Sequence, residues 1–200
     1  KLWSPEGWRW KEKNNINYPE YWCCKNNIWY KNEYGKEIEL KNYENYPVTH
    51  ISWYEADACA RWLGGRLPFE AEWEYCATNR GKTSFPWGID KPCNIKNNLD
   101  GERLKISSIN QDLSGNSLYK INGLIGNAWE WCCDSYLPYP KYHMDVLNSS
   151  ISYNNFDTRK KVLKGGSQFT SKTFISPKSR EGADPSNRSI CTSIRVVRIN

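Results

Sequence analysis

The residues of this chain that could do chemistry are few in kind and unevenly placed. There are two histidines, His50 and His143, and eight cysteines. Cys23 with Cys24 and Cys132 with Cys133 are adjacent pairs, which rarely bridge to themselves, and no C-x-x-C pair occurs, so a zinc ribbon or a thioredoxin-type site is not expected. A mononuclear iron site generally needs three protein ligands, such as three His or two His and a carboxylate, and two histidines make a poor set. His50 lies beside a helix start and reads as a packing or hydrogen-bonding residue. His143 stands in a loop with Tyr139, Tyr142 and Asp145 and is the better candidate for a catalytic role. The tyrosines Tyr136, Tyr139 and Tyr142 admit two readings, a pocket wall with a proton donor or a Pro-Tyr-rich loop packed on the surface.

Hard oxygens collect at Asn94, the Ile95 carbonyl, Asn97 and Asp100, the donor type that calcium prefers. From Thr158 onward ten Lys or Arg face only Glu181 and Asp184. That run fits an anion-binding surface or an ordinary solvated face, and without a recognised motif beside it nucleic acid is not an expected partner.

The elements that position these groups are partly legible. Ser52 and Glu55 form an S-x-x-E capping box, so a helix starts near Trp53 and presents Ala56, Cys59, Ala60 and Leu63 on one face. Gly64-Gly65 ends it in a left-handed turn. A second short helix is expected over Glu70–Ala77, carrying Trp73 and Tyr75 and capped by Phe69, which offers no hydroxyl and costs about 1 kcal/mol unless something compensates. Cys59 and Cys76 are read as buried free thiols on these helices. Short strands are expected at Val48–Ser52, Ala128–Cys132, Val162–Lys164 and Ile194–Ile199. Residues 79–120 are rich in turn-forming types and read as loops. Glu130, between two tryptophans, is expected to be buried and held by backbone amides or an arginine.

Two hundred residues suit one domain, residues 1–200, and the apolar area is concentrated in 11 Trp and 13 Tyr, which implies an irregular, loop-rich core. No apolar run is long enough to span a bilayer and Lys1 opens no secretory h-region, so a soluble protein is expected, with a cytoplasmic location slightly favoured. Two helices with short, mainly antiparallel strands and long loops make the fold class α+β.

The window Pro47–Ala77 resembles the sulfatase-modifying-factor superfamily, which includes formylglycine-generating enzymes and the iron-dependent sulfoxide synthases of ergothioneine and ovothiol biosynthesis. Pro86-Trp87-Gly88, Asn98-Leu99-Asp100-Gly101, Gly126 to Trp131, Val162 to Ser167 and Ile194 to Arg198 follow in the family's order. The opening Trp3 to Trp10 and the run Tyr139 to Tyr142 are more similar to the sulfoxide-synthase branch. The resemblance implies the C-type-lectin-like formylglycine-generating-enzyme fold and, in the vicinity of residues 94–100, calcium.

For chemistry, the resemblance implies that formylglycine-generating enzymes bind copper through two cysteines after the Gly-Gly-Ser motif. Here Gly165–Ile175 holds no cysteine, Thr170 and Ile175 stand where the pair would fall, and a copper site of that type is not expected. Sulfoxide synthases take three iron-binding histidines from a separate upstream helical domain, which makes such a domain a possible partner and iron dependent on it. What remains is a substrate-facing half, with Arg180, Arg188 and Gln168 as substrate-binding residues for a small thiol or amino-acid-like ligand. An arginine fork fits a carboxylate bidentately. A lectin-fold binding protein that has lost the chemistry, including a diversity-generating-retroelement variable protein with a protein ligand, is the alternative. Formylglycine generation is a third, disfavoured by the missing cysteines.

Overall fold

The computed structural model describes residues 1–33, 35–88, 98–101, 105–110, 117–140 and 156–198. In chain order the elements are α1 (Pro5–Lys13), the strands β1 (Trp22–Lys25), β2 (Ile28–Glu33) and β3 (Lys36–Glu39), and a 3-10 turn (Leu40–Tyr43). Helix α2 (Trp53–Trp62), strand β4 (Gly65–Arg66) and helix α3 (Glu70–Ala77) follow. The last five strands are β5 (Trp129–Tyr136), β6 (Asp157–Lys164), β7 (Arg180–Ala183), β8 (Thr192–Ser193) and β9 (Val197–Arg198). The class is α+β, with three helices rather than two among the described residues. No helix among them is long and apolar enough to cross a membrane.

The extra helix, α1, begins where the Ser4 hydroxyl accepts the Gly7 N–H, with Pro5 at the first helical position where its missing N–H costs nothing. Strands β1, β2 and β3 form an antiparallel meander in the order of the chain. Its first turn is Asn26-Asn27, with φ of +52° and +64°, the left-handed pair that a tight two-residue hairpin demands.

The central sheet runs β7-β6-β5-β8, antiparallel except for β5 with β8, and β4 pairs with β9 to tie the end of α2 to the C-terminal segment. Alternation along β5 and β6 divides the core. Trp131 and Leu163, paired in register, pack with Ile51, Ala56, Ala60 and Leu67. Cys132 and Val162 point the other way, into Trp73, Ala77, Leu99, Leu124, Ile125 and Ile175. Each helix therefore claims one face of the same strand pair, α2 through its alanines and α3 through Trp73. Three indole N–H groups at the core find acceptors: Trp131 donates to the Ile51 carbonyl at 3.2 Å, Trp53 to the Cys132 carbonyl at 2.8 Å and Trp73 to Glu130 at 2.7 Å.

Several expectations need correction. Val48–Ser52 is not a strand: His50 has φ +59°, its N–H goes to the Ser189 carbonyl, and Ser52 is consumed as the α2 cap. Leu63 is not on the buried face of α2 but is its exposed C-cap, while Cys59 and Cys76 are half-buried. Of the expected strand Ile194–Ile199, the described residues 194–198 yield only the two-residue β9, Ile199 lying outside them. Both helix boundaries and the Gly64 stop, at φ +76°, agree with the sequence reading.

Gly165 and Gly166 carry φ of +96° and +78°, and a Cβ on them would lie 2.8 Å from the Leu124 carbonyl oxygen and 2.6 Å from Ile175 Cδ1. The Gly-Gly-Ser motif is thus the place where β6 turns sharply under the Leu124–Gly126 loop, and Gly126 donates its N–H to Gly165 at 2.7 Å.

Candidate functional site

Among the described residues, a dense polar constellation lies where the start of α3 meets the ends of β5, β6 and β7. Glu70, at the first position of α3 and 5% exposed, is its centre. Its carboxylate accepts the Tyr139 hydroxyl at 2.8 Å and Arg180 Nη2 at 2.7 Å, with Lys164 Nζ at 3.5 Å. One turn on, Glu74 accepts from Lys164 at 3.2 Å and from Tyr139 at 3.4 Å. Lys164 itself is wholly buried, its ammonium 5.6 Å above the Trp73 ring. Two carboxylates thus balance two cations, which is what allows four charges to sit at a core edge.

Arg180 is held on every side. Its Nη1 donates to the Leu137 carbonyl at 2.7 Å, and the guanidinium lies between the Tyr136 and Tyr139 rings, 4.8 and 4.4 Å from their centroids. Only its buried Nε lacks an acceptor among the described residues. Gly182 on β7 makes this stacking possible, since a Cβ there would sit 2.5 Å from the Tyr136 ring. Burial and the hydrogen bond to Glu70 push the Tyr139 phenol up, and burial raises Tyr136 as well, partly offset by Arg180. Both hydroxyls therefore keep their protons at neutral pH.

Of the sequence candidates, the fold brings together Tyr136, Tyr139 and Arg180. Arg188 lies elsewhere: its fork closes on Glu55, with Nη2 at 2.6 Å and Nε at 3.0 Å, and so locks the C-terminal segment to the start of α2. Gln168 is fully buried on the loop after Gly166, and neither its amide nitrogen nor its oxygen has a partner among the described residues. Its backbone is pinned, donating to Asn127 at 2.9 Å and accepting from Gly101 at 2.6 Å. His143, Asn94, Ile95 and Asn97 lie outside the described residues. Asp100, the described member of the calcium set, accepts the Lys172 N–H at 2.8 Å and has the Lys172 ammonium 3.5 Å away.

Sequence reasoning missed Glu70, Glu74 and Lys164. The signal was present: two glutamates four apart flank the buried Trp73, and one lysine closes the apolar run Val162-Leu163 just before two glycines. His50 behaves as expected of a packed histidine, 7% exposed, in contact with Thr49 at 3.2 Å and edge-on to Tyr21, and burial lowers it to about 4. Glu130 is held as expected, by Arg195 in a bidentate fork at 2.6 and 2.7 Å and by Trp73.

Residues 7–200 match the sulfatase-modifying factor enzyme 1-like domain. The chain belongs to that family. It is 29% identical over 200 residues to the hercynine oxygenase of Mycobacterium tuberculosis, covering 98% of this chain and 46% of that protein. It is 34% identical over 125 residues to the formylglycine-generating enzyme of Streptomyces coelicolor, covering 52% of this chain and 37% of that enzyme. Among solved structures, PvdO from Pseudomonas aeruginosa superposes with a TM-score of 0.60 at 17% identity, over 94% of this chain and 74% of PvdO, which is agreement in fold. The chain spans less than half the length of either of these two relatives.

Among the described residues, the side chains present do not supply the iron site that the sequence resemblance implies. No group of three His, Cys, Asp or Glu among the described residues is arranged to hold a metal ion. His50 is packed against Tyr21 and Thr49, and Glu70, Glu74 and Glu130 are already neutralised by Lys164, Arg180 and Arg195. The described residues of this chain do not fit an iron centre of their own.

Proposed function

We propose that this chain is the substrate-holding part of an oxygen-dependent, C–S bond-forming sulfoxide synthase whose iron ligands come from a separate helical domain. The observation that carries the reading is the alignment of 98% of this chain with 46% of the Mycobacterium tuberculosis hercynine oxygenase, joined to the cluster at the head of α3. There the Arg180 guanidinium is stacked between two tyrosines, and a protonated Tyr139 hydroxyl is anchored on Glu70. In this reading the cluster orients the ligand: the Arg180 guanidinium, fixed by Glu70 and the Leu137 carbonyl, presents its charge at the Tyr136–Tyr139 edge, and the Tyr139 O–H is the proton donor beside it. The isolated chain binds a small thiol amino acid and does not turn it over.

A second reading, a binding protein that keeps the scaffold without the chemistry, draws on the charge balance of the cluster itself, since two acids and two bases need no ligand to complete them. Titration of the 15N-labelled chain with L-cysteine, with L-serine as the oxygen analogue, separates these. Saturable shifts at Tyr136, Tyr139 and Arg180, larger for cysteine, support the first. Shifts that fall elsewhere, or none, overturn it.

A further inference from the structure

We infer that Asn122 is a self-modification site, at which the backbone nitrogen of Gly123 attacks the Asn122 carboxamide and the Arg195 guanidinium activates that nitrogen. Asn122-Gly123 is the single Asn-Gly pair in the chain. Glycine carries no Cβ to shield its own nitrogen from the side chain before it. Both residues are exposed, directly ahead of the buried Leu124 and Ile125. At Gly123, with φ +64°, the space where a Cβ would stand is open.

The reacting groups are free and the activating group is fixed. Among the described residues neither the Asn122 carboxamide nor the Gly123 N–H makes a hydrogen bond. The carboxamides of Asn79, Asn98 and Asn127, by contrast, donate to the Pro86, Lys105 and Ser107 carbonyls and are held away from their own backbones. Arg195 Nη2 donates to the Asn122 carbonyl at 3.0 Å, with the Gly123 carbonyl at 3.5 Å. Glu130 grips the same guanidinium from the other side, at 2.6 Å from Nη2 and 2.7 Å from Nε. The Asn122 carbonyl and the Gly123 nitrogen belong to one peptide bond. When that nitrogen loses its proton, the negative charge is shared with the carbonyl oxygen, where a charged donor is already in place and favours the anion. Glu130 offsets part of this charge, which limits the gain.

The chemistry needs only water. Hydroxide takes the Gly123 N–H proton, the nitrogen forms a bond to Asn122 Cγ, and the Cγ–Nδ2 bond breaks as ammonia leaves with a proton from solvent. The succinimide ring so formed is opened by water at one of its carbonyls. The product at position 122 is aspartate or, where the main chain now runs through the side-chain carbon, isoaspartate. Nothing is oxidised or reduced. Either product sets a new carboxylate close to the guanidinium that Glu130 holds, and the second also lengthens the main chain beside the carbonyl that Arg195 grips.

The test is the rate of conversion at Asn122 in mildly alkaline buffer, read by peptide mass spectrometry on the folded chain and on a synthetic peptide of residues 117–128 in the same buffer. A folded loop without assistance restrains the approach of the nitrogen and converts no faster than the free peptide. The expected result is conversion at least about threefold faster in the folded chain, with Asn122 ahead of every other asparagine. Arg195→Gln brings the rate down to that of the peptide or below it. Arg195→Lys, which keeps a charge facing Glu130 but not the fork, falls between the two and decides the matter if the first variant loses its native circular dichroism. Asn122→Gln is the blank, since its longer side chain closes a larger ring far more slowly. A folded chain no faster than the peptide, a variant of Arg195 that folds and converts at the parent rate, or earlier conversion at another asparagine would each overturn the assignment.

Discussion

Asp134 Oδ2 accepts the backbone N–H of Glu70 at 2.6 Å, so the first turn of α3 is capped by a carboxylate 64 residues away in the chain. The residue in the cap position, Phe69, has no acceptor in its side chain, and only half of a capping box survives locally, the Glu72 carboxylate reaching back to the Phe69 N–H at 2.9 Å. Asp134 compensates from β5. By placing a negative charge at the positive end of the helix, it also fixes Glu70, the centre of the polar cluster, relative to the sheet.

Replacing Asp134 with Ala is therefore expected to lower stability by about 1–2 kcal/mol, with Asp134→Asn recovering part of it because the amide oxygen still accepts. The urea midpoint of the two variants measures this. Equal losses for Asn and Ala would show that the Glu70 N–H does not depend on that acceptor.

Glu130 makes the opposite case, a carboxylate whose partners are all side chains. Glu130→Ala leaves the Arg195 guanidinium with the Asn122 and Gly123 carbonyls but no counter-charge in its fork and leaves the Trp73 N–H without its acceptor, and a loss of about 3 kcal/mol is expected, the lower end for a broken buried pair because Arg195 is 28% exposed. Urea denaturation followed by Trp fluorescence reads both the loss and the altered Trp73 environment. A loss under about 1 kcal/mol would mean that the fork behaves as a surface pair.

What the sequence made legible was local. Ser52, Glu55 and Gly64 each act within four residues of themselves, and helix α2 came out at its expected bounds. Equally local signals at Ser4-Pro5-Glu6 and Asn26-Asn27 mark α1 and the β1–β2 turn, although neither element is among those expected from the sequence. The polar cluster is different in kind. Arg180 and Glu70 are 110 residues apart, Lys164 and Glu74 are 90 apart, and no periodicity links them. Only the strand order β7-β6-β5, itself set by long-range pairing, brings them to one end of the sheet. Arg188 shows the reverse risk: a basic residue at a plausible ligand position is absorbed by Glu55 once the chain folds.

His50 gives a pH dependence with a definite sign. Burial, with help from the nearby Lys31 and Arg188 charges and against Glu33, lowers its pKa from 6.5 to about 4. Between those values the unfolded chain binds a proton that the folded chain refuses, so stability falls as pH drops from about 6.5 toward 4. The contribution is about 3 kcal/mol in all. His50→Asn, which tolerates the φ of +59°, removes this component while leaving that of the carboxylates. Stability curves against pH for the two proteins should diverge across that window. Parallel curves would show that His50 protonates in the folded state.

The stacking of Arg180 on Tyr136 leaves no room for one added methyl group on β7. Gly182 lies under Tyr136 so closely that Ala would put its Cβ 2.5 Å from the ring, and the ring cannot retreat without leaving the Arg180 guanidinium 4.8 Å above it. Gly182→Ala alone is expected to cost about 1–3 kcal/mol and to move the Tyr136 and Arg180 resonances together. In a Tyr136→Ala background the same change meets no ring and should cost little, so the two substitutions couple by at least about 1 kcal/mol. Additive losses would mean that β7 shifts to relieve the clash and that the position of Arg180 does not depend on Tyr136. L-cysteine binding measured in parallel then connects the packing to the proposed function: Gly182→Ala should weaken it through the displaced guanidinium, although Gly182 has no side chain to touch the ligand.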